Sequence, residues 1–259
     1  MRFLNIILII TFLCLTSCEE LIDVNLNEAS PRYVIEGDFT NLSNEQTIFV
    51  TQTVAFNAPI KSEPINNAIV TVSDDKGASY TFKNEGEGKY VAMFRPQEKT
   101  TYKLNVNIDG EVFESSSYMN EYIDVSTLDV VEDIIFSDTV YSVSLNFSEP
   151  AGVENFYKYN LSVNGGPFEF SGVFNDKFND GLRVTHQLSD RRNKIELGDS
   201  VVVRRQIIDK GVFKYWNEFL SINPGSAAPA NPTSNITNGA LGYFSVSSSK
   251  NYGVRIRFN

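Results

Sequence analysis

Tyr102-Lys103-Leu104-Asn105-Val106-Asn107-Ile108-Asp109-Gly110-Glu111-Val112-Phe113 decides the fold class. From Tyr102 to Ile108 the apolar side chains stand on even numbers and the polar ones on odd numbers. A repeat of two gathers the apolar groups on one side only if the backbone is extended, so the stretch reads as a strand with one wet face. Asp109-Gly110 follows without a spacer. It supplies two residues that tolerate a left-handed turn, and Glu111-Val112-Phe113 returns as the second arm of a hairpin.

The same signals recur on either side. Asp74-Asp75-Lys76-Gly77 separates the apolar-rich Ala68 to Ser73 from Ser79 to Phe82, and Asn84-Glu85-Gly86-Glu87-Gly88 marks a third turn. From Pro31-Arg32-Tyr33-Val34-Ile35-Glu36-Gly37 onward the chain is short strands and turns with no helical period, which predicts an immunoglobulin- or transthyretin-like β-sandwich over 31–120. The boundary is expected between Tyr118 and Asp124, after Ser115 to Ser117. A second β-rich sandwich is expected over 121–259. Tyr141 to Phe147 and Tyr157 to Val163 alternate, Ser200 to Ile208 is apolar enough for a central strand, and Tyr252 to Phe258 closes the chain with Arg255 and Arg257 facing water.

One segment departs from this pattern. After Asp209, a helix N-cap residue, Val212, Tyr215, Trp216 and Phe219 fall at the spacing of one helical face, with Phe213 and Leu220 widening the stripe. Asn223-Pro224-Gly225 ends it, so a helix is predicted over 210–222. Its apolar face is expected to close one end of the second sandwich. An aromatic stripe of this kind also serves as an interface anchor, and the uncharged, proline-bearing loop from Pro224 to Gly239 follows directly. Tyr215, Trp216, Phe219, Pro229 and Pro232 are therefore the candidate partner-binding residues.

The start of the chain carries an address. Arg2 precedes an unbroken apolar run from Phe3 to Leu15, too short for the roughly 20 residues that span a bilayer but the size of a secretory signal core. Leu15-Thr16-Ser17-Cys18 then resembles a bacterial lipobox, in which the cysteine thiol takes a diacylglycerol, the preceding bond is cut and the new amino terminus is acylated. Residues 1–17 are thus read as a lipoprotein signal, Cys18 as the lipidated residue and 18–30 as an acidic tether. Several acyl chains, at roughly 0.8 kcal/mol per buried methylene, anchor a protein without spanning the membrane. Glu19-Glu20 behind the cysteine resembles the export signal of surface lipoproteins in the Bacteroidota. The expected location is the outer membrane, facing the cell exterior.

Composition narrows the chemistry. The only other cysteine, Cys14, lies inside the signal, so a mature chain has no disulfide and must be held by its core. Lys+Arg 22 against Asp+Glu 32 gives a net charge of −10, opposed to nucleic acid as a partner. His186 is the single histidine; without a second His or a free Cys there is no zinc set and no Cys-His nucleophile, and no nucleophile-elbow motif accompanies it. It reads as a polar surface residue. A hydrolase built on two carboxylates stays open, because such a pair need only meet in space. Asp176, Asn179 and Asp180 before Gly181 could lend oxygens to calcium, but the EF-hand alternation is missing and the segment reads as an Asx-rich turn. No cofactor and no metal are expected.

Several stretches, in order, resemble one family: the lipobox, Pro31 to Gly37, Ala68 to Asp74, Gly88-Lys89-Tyr90, Phe174 to Gly181, the Tyr215-Trp216 helix and Asn231 to Phe244. Together they are similar to the Bacteroidota lipoproteins grouped as domain of unknown function 4249. Members are often encoded beside outer-membrane receptors of the TonB-dependent class, which implies an accessory role in uptake with a β-barrel receptor as partner. A stand-alone surface module for glycan or peptide is the alternative, and a hydrolase ranks third.

Overall fold

The computed structural model describes residues 30–55, 58–189, 195–221 and 231–257. Cys18, the tether up to Ala29 and Pro229 lie outside the described residues. The first half contributes β1 (Tyr33–Thr40), β2 (Glu45–Gln52), the two-residue β3 (Glu63–Pro64), β4 (Ile69–Asp74) and β5 (Ser79–Thr81). It continues with β6 (Lys83–Gly86), β7 (Lys89–Met93), β8 (Thr100–Ile108) and β9 (Glu111–Met119). The second half holds β10 (Thr127–Ile135), β11 (Asp138–Ser148), β12 (Phe156–Val163), β13 (Glu169–Asn175), β14 (Arg183–Leu188) and β15 (Ser200–Ile208). One helix among the described residues, α1 (Lys210–Ser221), precedes the long last strand β16 (Leu241–Arg255).

The chain is mainly β, in sandwich-like layers. A large sheet runs β13-β12-β15-β16-β1-β2-β7-β6, with β3 on β2. Two smaller sheets, β5-β4-β8-β9 and β10-β11-β14, cover neighbouring parts of one of its faces. The period of two in β8 has the predicted consequence: Tyr102, Leu104, Val106 and Ile108 are buried and pack on Ile35, Phe39, Ile48 and Val50. The second core gathers Val143, Leu145 and Phe147 of β11 against Tyr157, Tyr159 and Leu161 of β12 and Val201, Val203 and Ile207 of β15.

β16 joins the halves. Leu241 to Ser247 pairs in parallel with β1, and Ser248 to Arg255 pairs antiparallel with β15. Phe244 and Val246 therefore enter the first core, together with Ile236 and Ala240, while Ile256 just beyond the strand enters the second. The first sandwich is completed by residues more than a hundred positions beyond its own last strand. Ser245, Ser247, Ser248 and Ser249 at the crossing are fully buried, and small side chains let the strand pass from one sandwich to the other.

Two expectations from alternation are corrected. Tyr141 to Leu145 in β11 and Phe156 to Tyr159 in β12 are buried without a break, so neither stretch has a wet face. In β11, Gln187 roofs Ser142 with a hydrogen bond of 2.8 Å. In β12 the face opposite the second core is covered by α1, which packs against Phe156, Ile208 and Tyr243. The helix therefore lies on the back of the large sheet and does not close the end of the second sandwich.

Candidate partner-binding site

The site starts from the helix cap. Asp209 Oδ1 accepts the Val212 N–H at 3.0 Å, and its Oδ2 accepts the Ser117 hydroxyl, so the predicted N-cap also ties α1 to β9. Burial raises the Asp209 carboxyl above the usual range. From this start Val212 is buried against Phe156, Ile208 and Tyr243, with Phe213, Tyr215 and Trp216 half-buried around it. The Trp216 ring lies 4.4 Å from Phe170 and 5.3 Å from Tyr243, and Tyr215 lies 4.9 Å from Tyr243. Burial pushes the Tyr215 phenol up to about 12.

Beneath these rings sits an ion pair that the sequence did not announce. Lys158 Nζ is 2.6 Å from Asp38 Oδ2, and the lysine side chain is 3% exposed. Gln206 Nε2 donates to the other Asp38 oxygen at 3.0 Å, and Asn160 Nδ2 donates to Gln206 Oε1 at 2.9 Å. The ammonium lies 4.6 Å from the centre of the Trp216 ring and 5.5 Å from that of Tyr243, where the ring faces attract a cation. The even residues of β12 carry the signal in retrospect: Phe156, Lys158 and Asn160 share one face, and the first is apolar.

The outer side of α1 and the turn after β13 enclose a groove of about 1010 Å³. Its floor is Phe156, Phe213 and Val153, and its sides carry Asn175, Asp180, Lys210 and Asn217. The candidate helix and the candidate calcium turn, far apart in the chain, thus line one concavity. Phe178 at the tip of the turn is 83% exposed and Phe219 on the helix is 48% exposed. Trp216 is packed beneath the surface, and its indole nitrogen has no hydrogen-bond partner. Pro232 is half-buried near the end of the loop that returns to the helix, where Thr233 N donates to Glu218 Oε2 at 2.6 Å. That bond holds the Glu218 carboxyl below its ordinary range.

The acidic groups of the groove are engaged locally. Asp176 Oδ2 accepts the Asn155 N–H at 2.9 Å, Asp180 Oδ1 accepts the Gly152 N–H at 2.7 Å, and Glu154 pairs with Lys210 at 3.0 Å. Asn179 N donates to the Asp176 carbonyl at 2.7 Å. The one local side-chain bond of an Asx turn is that of Asn175 Oδ1, which accepts the Lys177 N–H at 3.3 Å, while the two aspartates tie the turn to the chain before β12. Among the described residues no group of three or more His, Cys, Asp or Glu is placed to hold a metal ion.

His186 is a correction. It is buried in the second core, stacked on Phe174 at 4.2 Å, with Nδ1 2.7 Å from the Tyr159 hydroxyl. Arg205 Nε donates to that same hydroxyl at 3.1 Å, which places a cation next to the imidazole. Burial, with the Arg205 charge, lowers the histidine to about 3. Arg205 is itself fully buried, its guanidinium 4.3 Å from the Phe147 ring centre and 4.5 Å from that of Tyr157. Tyr157 donates to Glu149, whose carboxyl is raised by burial. This polar string is interior, and at its Glu149 end it meets Asn155 and Asp176, the latter in the groove lining.

Residues 19–252 match the family described as Domain of unknown function (DUF4249). The chain belongs to that family. No curated protein matches this DUF4249 chain. The family's description names no activity, and among the described residues of this member no helix is long and apolar enough to cross a membrane.

Proposed function

We propose that this DUF4249 protein is a lipid-anchored outer-membrane protein of the cell surface that acts as an accessory or binding component of a TonB-dependent transporter. The observation that carries the reading is the groove between α1 and the Phe178 turn. An apolar lining of Val153, Phe156 and Phe213, an exposed Phe178 in the turn whose Lys177 and Asp180 line the groove, and a rigid β scaffold beneath are the makings of a protein-contact surface. The Leu15-Thr16-Ser17-Cys18 lipobox supports the address, and the acidic charge supports an extended polar surface outside the membrane. A non-enzymatic role is supported by the carboxylates of the groove, which accept backbone hydrogen bonds or hold a lysine and are not poised as an acid and base pair.

Mild-detergent isolation of the full chain, followed by mass spectrometry, tests this reading. A stoichiometric β-barrel is the expected co-purifying protein, lost from the variant with Phe178→Asp and Asn217→Lys. Both positions are exposed, so thermal unfolding should be unchanged. Equal recovery of the barrel with wild type and variant would overturn the role given to the groove. A second reading, a stand-alone glycan- or peptide-binding module, is favoured by the amides of Asn175 and Asn217 in the groove lining and the exposed ring of Phe178 in the adjoining turn. Binding of the chain to a glycan array with no barrel recovered would select it.

A further inference from the structure

Every sheet has two edges, and an uncovered edge presents unpaired backbone groups that can take another strand. Most edges of this fold are short or covered. β5 has three residues, β6 four and β14 six. The nine-residue β9 is covered by the chain before β16: Thr237 N donates to the Glu114 carbonyl at 2.9 Å and Ser115 Oγ to that of Asn235 at 2.8 Å. β13 has seven residues with a register shift opposite Tyr159 and Asn160, and its Ser171 Oγ donates to the Ser189 carbonyl at 3.1 Å, so its edge is irregular and met by the chain after β14. β10 is different. It has nine residues, none of them buried, and pairs only with β11.

Its far end projects beyond the core. Ile134 is 76% exposed, Ile135 about half exposed and Phe136 wholly exposed, three apolar residues in sequence at a hairpin tip. Phe136 also holds φ at 58°, a left-handed conformation that a bulky residue rarely adopts and that glycine would take without strain.

Charge selects the occupant. Thr127, Asp129, Val131, Asp133 and Ile135 share the outer face of the sheet, because Asp129 meets Asn146 and Asp133 meets Gln187 there. Among the described residues these two carboxylates receive only neutral donors, and the side chains of Glu132 and Asp138 have no hydrogen bond or ion pair. Antiparallel pairing of two copies about Val131 would set Asp129 of each opposite Asp133 of the other, and like charges directly opposite are destabilising. A second copy is therefore disfavoured by the residues that would attract a cationic strand.

We propose that the free edge of β10 is a strand-pairing site for an extended peptide segment of a protein partner, with lysine or arginine facing Asp129 and Asp133 and apolar residues facing Val131 and Ile135. Main-chain hydrogen bonds supply affinity in this mode, and alternate side chains supply specificity. The site lies on the second sandwich, apart from the groove, and stands whether or not the transporter reading does.

The test uses the full chain in detergent and a synthetic peptide repeating Lys-Thr-Val-Thr, with a Glu-Thr-Val-Thr peptide as control. The lysine peptide should bind, and hydrogen exchange of the amides over 127–135 should slow on binding. The variant with Asp129→Lys and Asp133→Lys should reverse the preference, losing the lysine peptide by roughly tenfold or more and gaining the glutamate one. Both positions are exposed, so the variant should melt with the wild type. Absence of binding, protection elsewhere than β10, or a preference indifferent to the charge reversal would each overturn the proposal. So would uptake of the chain by zwitterionic lipid vesicles through Phe136 with no response to peptide.

Discussion

Lys158 and His186 are the residues whose surroundings differ most from a surface reading. Lys158→Ala takes away the ammonium beneath the Trp216 and Tyr243 rings and leaves the partly buried Asp38 carboxylate without its ion-pair partner, so it should cost about 3 kcal/mol in urea unfolding. Lys158→Met with Asp38→Asn should recover much of that loss, since no unpaired charge remains. For His186 the folded value of about 3 lies below the ordinary 6.5. The unfolded chain therefore takes up a proton that the folded chain refuses, and stability falls as pH drops from about 6.5 toward 3. One proton corresponds to about 1.4 kcal/mol per pH unit. His186→Phe should make the stability-against-pH curve shallower in that window; an unchanged slope would contradict the buried neutral imidazole. Neither partner set could be read from the sequence, because Tyr159 and Arg205 meet His186 across three strands.

At the scale of elements, α1 and the start of β16 depend on single residues. Asp209→Ala removes the cap and the link to Ser117 and should cost about 1–2 kcal/mol, read as a lower midpoint of thermal unfolding. Gly242 holds φ at 88°, and a Cβ there would stand 2.1 Å from the Ile35 carbonyl oxygen. Gly242→Ala should therefore cost about 3 kcal/mol or more, because the neighbour is backbone and cannot turn aside. The existence, cap and start of the helix were legible in Asp209 and the apolar spacing, while the predicted stop at Asn223-Pro224-Gly225 lies outside the described residues. Its seat was not. An apolar stripe specifies that a helix buries one face, while the face that receives it is built by Phe156, Ile208 and Tyr243 from three strands.

At the scale of the molecule, β16 makes the first core depend on the last part of the chain. A fragment of residues 30–120 lacks Ile236, Ala240, Phe244 and Val246, leaving Ile35, Phe39 and Phe113 without part of their cover. Such a fragment should show no cooperative unfolding transition by circular dichroism, whereas the full chain should unfold in one. A cooperative fragment would contradict a shared core. Cys18→Ser, by contrast, should leave unfolding unchanged and move the protein out of the membrane fraction if the lipid anchor is real.

The sequence by itself determined the β class, most of the turns, the helix with its cap and the family. These are local properties: periods of two and of 3.6, turn residues at fixed offsets, and short motifs in order. Tertiary structure alone decided that the serine-rich run Ser245 to Ser249 is buried strand, that Lys158 is paired in the interior, and that the helix and the Phe178 turn share a groove. It also decided that β10 is left bare. The reason is the same in each case, since burial of a polar residue or exposure of an apolar one depends on partners distant in the chain.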